Sequence, residues 1–547
     1  MGNKRVNALI AAVGLAEMMA LSQPIAILSD LERRAVTALE NSERLNTPAE
    51  IRLYQARVRA RLSQTIQEAE DSPGVIQAKL SLPESIDGPF PAVLHLRLHR
   101  DADIGDYDQK LSALGFVVLS LDLVAEHSGP NLLRRGVLPE VLIQRAVQSG
   151  FEYLSSRADV DKARIAIAGV GLGVVIGAMA NPAFSAVVVS EVGLDLAEMI
   201  RGHRPGDRTV VLDPCLLLPG LAQYASPVRL LAAVSPRPQL ILDAPFKSID
   251  LVNEVYGAMG VRENVSLQES DGSLEQRAAI ELTWFARWLQ TPPSRPRVTS
   301  ELHVLSTSIS IGLGRRPPVD SARSKKITLA NLTESLGEPL PAARMTRAIE
   351  IARKQEITLP TQVDMQVPVS VYRPGPQGGD FHVGVLVAID DQGRDHLERD
   401  PVVQAAVQRG WMVYAIDPRG LGELKTNDDE FIFGVSLLLG ENFVWRQAFD
   451  IARVVQFTAA ASVGMRSRLY ASGKVSILAS LYSAVICGDG FSEQLILRDT
   501  PSSISDTTET PLYAINYGQY RFRLRELLEV VKPTIIVVNG DESQITW

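Results

Sequence analysis

Cysteine is nearly absent: the 547 residues contain only Cys215 and Cys487. Two cysteines so far apart cannot build a disulfide framework or a multi-cysteine zinc site, and both read as buried apolar residues. Histidine is scarce too, with 7 in the chain and none after His396. The C-terminal stretch therefore lacks the side chain that most readily moves protons near neutral pH. No stretch approaches the ~20 uninterrupted apolar residues of a membrane span. Nor is there a basic stripe with interleaved aromatics, and a formal charge of -8 over this length gives no basis for nucleic-acid binding. What is present is ordinary, 46% hydrophobic and 22% charged. The length exceeds what one core holds and implies two or three domains.

The N-terminus admits two readings. Asn3-Lys4-Arg5 followed by the apolar run Ala8 to Ala16 has the layout of a signal peptide, with Ala20-Leu21-Ser22 as a small-residue cleavage site and residues 1–22 removed. Glu17 interrupts that run, and an amphipathic helix docked on the first module fits equally. The first reading places the protein outside the cytoplasm, the second inside it. Residues 28–70 are charge-rich with helical spacing, so a helical segment is expected over 1–75.

One pattern is written twice. Pro91-Ala92-Val93-Leu94 opens a strand, and Leu114 to Asp122 supplies another after a helical stretch. Val383 to Ile389, the helix around Val402 to Gln408, and Arg409 to Asp417 repeat the arrangement. Each half continues with a helix, Val141 to Ser155 or Trp445 to Ala459, and a short strand, Arg164 to Ala168 or Arg468 to Ala471. A later strand is introduced by proline, Pro238 to Leu242 and Pro533 to Val538. Strands apolar on both faces, alternating with helices, imply α/β architecture with mostly parallel sheets flanked by helices. Modules are expected over 76–290 and 381–547. Thr291-Pro292-Pro293-Ser294-Arg295-Pro296 opens a linker and small connecting section over 291–380, with a helix near Ala342 to Lys354 and a strand at Val367 to Tyr372.

Three motifs carry a family resemblance. Asp417-Pro418-Arg419-Gly420-Leu421-Gly422-Glu423 resembles the D-x-R-G-x-G segment after the fourth strand of α/β-hydrolases. Val160-Asp161-Lys162-Ala163-Arg164-Ile165 is similar to the lead into their nucleophile strand in acetyl xylan esterase-like and prolyl oligopeptidase-like members. Ala233-Val234-Ser235-Pro236-Arg237-Pro238 resembles the entry to the strand bearing the catalytic acid. The resemblance covers most of residues 80–290 and 380–547. It implies two tandem α/β-hydrolase-like modules and an acyl-transfer site made of a G-x-S-x-G serine, then an acid, then a histidine.

Neither module carries that set. The first elbow is Gly169-Val170-Gly171-Leu172-Gly173, with Gly171 in the serine's place. Asp271-Gly272-Ser273-Leu274 puts Leu274 where the histidine should be. Asp243 and Asp250 stand near the acid position, while His203 and His303 fall out of order. The second elbow, Ser472-Gly473-Lys474-Val475-Ser476, places Lys474 at the nucleophile position. Asp541 is its relic acid, and the six residues after it up to Trp547 leave no sequence for a last strand, histidine loop and helix. A C-terminally truncated second module is the expectation. A Ser–Lys dyad through Lys474 would need burial to lower the lysine's pKa; a solvated lysine is the plainer reading.

His95, Arg97 and His99 alternate with leucines, so in a strand they share one face. With Asp101 and Asp103 they are metal-ligand types, yet a strand that ends near Arg97 accounts for them more simply. Gly169-x-Gly171-x-Gly173 lacks the spacing of a dinucleotide fingerprint. No cofactor and no metal are expected; the residual ligand cleft would comprise His95, Arg97, His99, Gly169 and Gly173. These absences suggest a pseudoenzyme that binds or assembles. Its partner, or self-association, would cover an apolar face left by the missing last helix, and a carbohydrate is the ligand the resemblance suggests. The alternative is an acetyl xylan esterase-type carboxylic-ester hydrolase with a displaced nucleophile.

Overall fold

The computed structural model describes residues 27–38, 45–68, 75–83, 88–97, 105–123, 139–192, 196–203, 220–244, 249–271, 273–289, 305–312, 347–351, 354–362, 365–375, 383–426, 428–441, 443–462, 464–487, 493–498, 534–538 and 545. Their strands form two eight-stranded sheets. The first contains β1 (Val75–Leu82), β2 (Phe90–Arg97), β3 (Val117–Asp122), β4 (Val160–Val170), β5 (Ala186–Ser190), β6 (Gln239–Leu242), β7 (Val265–Gln268) and β8 (Leu305–Gly312). Their spatial order is β7-β6-β5-β4-β2-β3-β1-β8. The ladder from β7 to β3 is parallel, and β1 runs antiparallel to both β3 and β8.

The second sheet contains β9 (Arg347–Ile351), β10 (Lys354–Gln362), β11 (Met365–Tyr372), β12 (Gly384–Asp390), β13 (Trp411–Ile416), β14 (Arg466–Ser472), β15 (Gln494–Arg498) and β16 (Thr534–Val538). Its order, β16-β15-β14-β12-β13-β11-β10-β9, repeats the β6-β5-β4-β2-β3-β1 part of the first, with five parallel strands where the first has six and three antiparallel strands where it has two. This strand order is that of a tandem α/β-hydrolase-like architecture.

Two expectations for the connecting section are corrected. The segment near Ala342 to Lys354 is not helical: β9 and the start of β10 occupy its described part. Five residues are too few for periodicity to separate helix from strand, and the antiparallel pairing of β9 with β10 decides it. The section is also not a separate unit, because β8 joins the first sheet and β9 to β11 join the second.

The main helices are α1 (27–38), α2 (Pro48–Glu68), α3 (Gly105–Ala113), α4 (Pro139–Ser156), α5 (Leu172–Ala180), α6 (Leu196–Gly202), α7 (Leu274–Trp288), α8 (Pro401–Gln408), α9 (Asp429–Leu438), α10 (Phe443–Ala461) and α11 (Lys474–Cys487). In the first sheet α3 and α7 close one face, with Leu111, Trp284 and Phe285 packed on Val93, Val118, Ala166, Ala168, Val188 and Leu240. The opposite faces of both sheets share one continuous apolar cluster with α2, α4, α5, α9, α10 and α11. The modules also meet through polar contacts. The Gly220 amide donates to the Leu437 carbonyl at 2.8 Å, and Gln223 Nε2 donates to the Leu439 carbonyl at 2.8 Å. His203 stacks on Phe431 at 3.7 Å.

The second sheet's counterpart of the α7-covered face is not the apolar surface expected. Strand alternation places Arg466, Arg468 and Tyr470 of β14 there, with Gln494, Ile496 and Arg498 of β15. Arg468 lies over the Trp411 ring at 4.5 Å, and the Tyr470 hydroxyl and Arg498 both donate to Asp400 at 2.9 Å. Ile545 packs in the same cluster as Ile496. Arg468 is 3% exposed and Tyr470 and Ile496 are 0% exposed, so this part of the face is buried, with the arginine heads turned to a ring and an acid.

Candidate functional site

In sheets of this kind the reactive groups gather at the carboxyl ends of the central strands. At that end of β4, Gly171 turns the chain into α5 with φ +83, and its amide donates to the Ser190 carbonyl at 2.7 Å. Gly169 is required by sterics, since a Cβ there would lie 2.5 Å from the Leu96 carbonyl oxygen. Gly173 is buried in the first turn of α5. The turn from β4 into α5 is thus made by backbone alone, with no side chain at Gly171.

A second tight turn follows β6. Asp243 follows β6 with φ +49, an unusual conformation for a residue with a side chain, beside Glu191 with φ +52 at the end of β5. The Asp243 carboxylate accepts from the Ser270 amide (2.6 Å), the Ser270 hydroxyl (2.8 Å) and Arg277 Nη2 (3.2 Å). Arg277 also donates to Glu191 at 2.7 Å. Burial pushes the Asp243 carboxyl up, but the Ser270 bonds and the Arg277 guanidinium outweigh it and hold it below the usual range. Its partners are therefore a serine and an arginine of α7. Leu274 opens that helix; its side chain lies outside the described residues. Asp250 is exposed and begins the helix Asp250–Ala258, a favourable place for an acid, so it is no part of this cluster.

His95 and Arg97 do share a face of β2 (Phe90–Arg97). The face is no open cleft, however. His95 is 4% exposed, under α3, with Nδ1 3.0 Å from Asp108 Oδ1. Ser120 donates to Asp108 Oδ2 at 2.6 Å and lies 3.4 Å from the same histidine nitrogen. Serine, histidine and acid types meet here, but the serine bonds the acid and faces the nitrogen already used by it. That geometry orders a core and offers no general base for Ser120. Tyr107 donates to Glu281 beside it, and burial raises the pKa of both groups. Arg97 faces Asp122 at 3.8 Å. His99, Asp101 and Asp103 lie outside the described residues, and no group of three His, Cys, Asp or Glu among the described residues could hold a metal ion.

The second elbow shifts by one residue from expectation. Aligning Phe116-Val117 with Trp411-Met412, the ladders equate Ala92 with Val385 and Ile165 with Ser467. Gly171 then corresponds to Gly473, not Lys474. Gly473 turns at φ +97 while Lys474 opens α11. A short repeat with one residue of slack cannot fix this register; the ladders do. The space beside Gly473 is filled, because a Cβ there would lie 2.3 Å from Asp391 Cγ. The Asp391 carboxylate accepts from the amides of Val475 (3.2 Å) and Ser476 (2.8 Å) and from the Ser476 hydroxyl (2.7 Å). Burial raises the Asp391 pKa against those bonds. The helix N-terminus, whose amides suit an anion, is thus occupied by the protein's own acid. Asp541 lies outside the described residues.

The D-P-R-G-L-G segment turns out to be a buried joint. Arg419 donates to Asp450 from Nε and Nη2, each at 2.8 Å, and from its backbone amide at 3.1 Å. Asp417 accepts from the amides of Arg394 (2.7 Å) and Glu423 (3.0 Å), and Gly422 lies against its carboxylate. Burial nevertheless pushes Asp417 up to about 6, ahead of the opposing bonds and the Arg394 charge. A carboxyl raised above its unfolded value stabilises the fold at low pH and loses that contribution as pH rises through the folded value. Stability should therefore fall by about 3 kcal/mol between pH ~3 and ~7 on account of this group, at roughly 1.4 kcal/mol per pKa unit. Urea midpoints across that range, compared with Asp417→Asn, check this; equal slopes in both proteins would remove Asp417 as the cause.

Asp108, Ser120, Asp391 and Arg277 were not marked by any sequence motif. Their signals are single polar residues in helices or at strand ends, indistinguishable from surface residues until the partners are placed. Cys487 is the free cysteine among the described residues, and burial pushes its thiol up to about 12.

No protein-family model matches the chain, and no curated protein matches it. Among solved structures, a putative acetyl xylan esterase from Bacteroides fragilis is 15% identical, with 43% of this chain and 80% of that one covered and a TM-score of 0.35. A glucuronoyl esterase from Teredinibacter turnerae is 13% identical over 46% of this chain and 90% of its own, with a TM-score of 0.33. A putative dienelactone hydrolase from Klebsiella pneumoniae is 15% identical over 41% and 100%, with a TM-score of 0.28. No described helix is long and apolar enough to cross a membrane.

Proposed function

We propose that this protein is a catalytically inactive hydrolase-like protein that acts as a binding or assembly component. The observation that carries this reading is that glycine occupies both turn positions, Gly171 and Gly473, with the Asp391 carboxylate filling the space beside the second. Acyl transfer needs an attacking atom at the turn and donors free to receive the oxyanion. The second turn offers no attacking atom, and Asp391 holds the Val475 and Ser476 amides of the helix that follows it. Ser476 is no substitute, because its hydroxyl donates to Asp391. At the first turn Asp243 is engaged by Ser270 and Arg277, so a restored serine would still lack a base.

Purified protein should not turn over p-nitrophenyl acetate above buffer and should not label with a serine-directed fluorophosphonate. The Gly171→Ser variant should behave the same. Turnover with stoichiometric labelling of the natural protein would overturn this reading in favour of ester hydrolysis by a displaced nucleophile, and the labelled peptide would name the serine. Absence of both directs attention to binding, with acetylated oligosaccharides as the first ligands to titrate and partner capture from native extract beside them.

A further inference from the structure

The joint between the modules has an unusual element. Helix α1 buries Ile27, Leu31 and Ala35, four residues apart, against the shared core. Asp30, on the same helix, is also buried at 2% exposed. Its carboxylate accepts from Arg33 at 2.7 Å and lies 3.5 Å from Arg419 Nη1 of the second module. Arg34 pairs with Glu441, which in turn holds Arg446 through bonds of 2.9 and 2.7 Å. On the other side, Glu32 pairs with Arg201 of α6 in the first module at 2.6 Å. One short helix thus touches both modules, by apolar contacts into the common core and by buried charge toward the second.

We propose that α1 is a clasp that holds the two modules in register and opens as a unit without unfolding either sheet. Apolar contacts alone tolerate sliding by a fraction of a turn. A buried ion pair does not, because a displaced charge loses its partner without regaining water, which is the best-attested use of buried charge as a register device. Buried pairs are also little screened by salt. Helical stability in proteins comes mostly from packing of an apolar face rather than from propensity, so α1 persists only while docked and is lost when its charge contacts weaken. The inference goes beyond the reading of the catalytic positions and stands whether or not the protein hydrolyses esters.

The test is hydrogen exchange on the full chain carrying Asp30→Asn, beside Glu32→Gln as a control at an exposed pair. In Asp30→Asn the amides of α1 should exchange at least tenfold faster, while those of β4, β5, β12 and β14 keep their natural rates; Glu32→Gln should change neither. Equal α1 rates in the two variants would overturn the proposal. So would equal acceleration through both sheets, which would make α1 an inseparable part of the global core. If Asp30→Asn does not yield folded protein, Glu441→Gln provides the same readout through Arg34.

Discussion

Asp450→Ala should lower the free energy of unfolding by about 3–5 kcal/mol, the usual consequence of leaving one member of a buried ion pair without its partner. Asp450 is 0% exposed and accepts four bonds: three from Arg419 and one from the Thr361 hydroxyl at 2.6 Å. Arg419 is itself 3% exposed, so its charge cannot turn to water when the acid is removed. Asp30 is the remaining acid nearby, at 3.5 Å from the guanidinium. The pair ties three elements together, because Arg419 follows β13, Asp450 lies in α10, and Gln362 of β10 accepts from Arg419 at 2.5 Å. Replacing both partners with apolar residues, Asp450→Leu with Arg419→Met, should recover most of the loss, since the cost arises from the orphaned charge. Urea unfolding of the three variants decides it. A single-variant loss under about 1 kcal/mol, in the range of an exposed pair, would mean that water reaches the site.

A still larger effect is expected from cutting the chain. A fragment of residues 381–547 should show no cooperative unfolding transition. It removes β9 to β11, so β13 loses its neighbour β11 and becomes an open edge. It also removes the first module, against which α9 lies through the Gly220–Leu437 bond and the His203–Phe431 stack. Helix α9 buries Phe431, Ile432, Phe433, Leu437 and Leu438. At roughly 1.5–3 kcal/mol for each fully buried side chain, their burial amounts to about 7–15 kcal/mol, comparable with the whole stability of a domain. Extending the fragment to 347–547 restores the sheet's antiparallel strands but not the cover over α9, and should still fail. A sigmoidal melt with native-like near-ultraviolet dichroism from either fragment would show that the second module is an independent domain.

The repeat was legible because its signals are local. Strands such as Val117-Val118-Leu119-Ser120-Leu121 and Trp411-Met412-Val413-Tyr414-Ala415 are apolar on both faces, which only a helix-covered parallel sheet accommodates. The connecting section was less legible. Arg347 to Ile351 is too short for periodicity to separate helix from strand, and only its pairing with β10 settles the matter. Gly171 could be placed from its flanking glycines, of which Gly169 is one that backbone sterics demand. The second elbow lacks a glycine pair of that kind, and its register came from the ladders. The polar stripe of β2 was visible as an alternation. Its reason, Asp108 brought over from α3, was not, because helical and strand residues 13 positions apart carry no shared pattern.

The sequence by itself determined two α/β modules in tandem, and it carries Gly171 and Leu274 where the family resemblance expects a serine and a histidine. Those are properties of residue type and local period, which survive without a partner in space. Tertiary structure alone decided that the connecting strands belong to the two sheets and that Gly473 is the second turn residue. It also decided that Asp391 occupies the anion position at α11, and that Arg419 of a family-like motif serves as a buried joint to Asp450 and Asp30. Each of these depends on which distant segments meet. Burial and pairing energies are set by neighbours in space, and a single chain read in order carries no record of them.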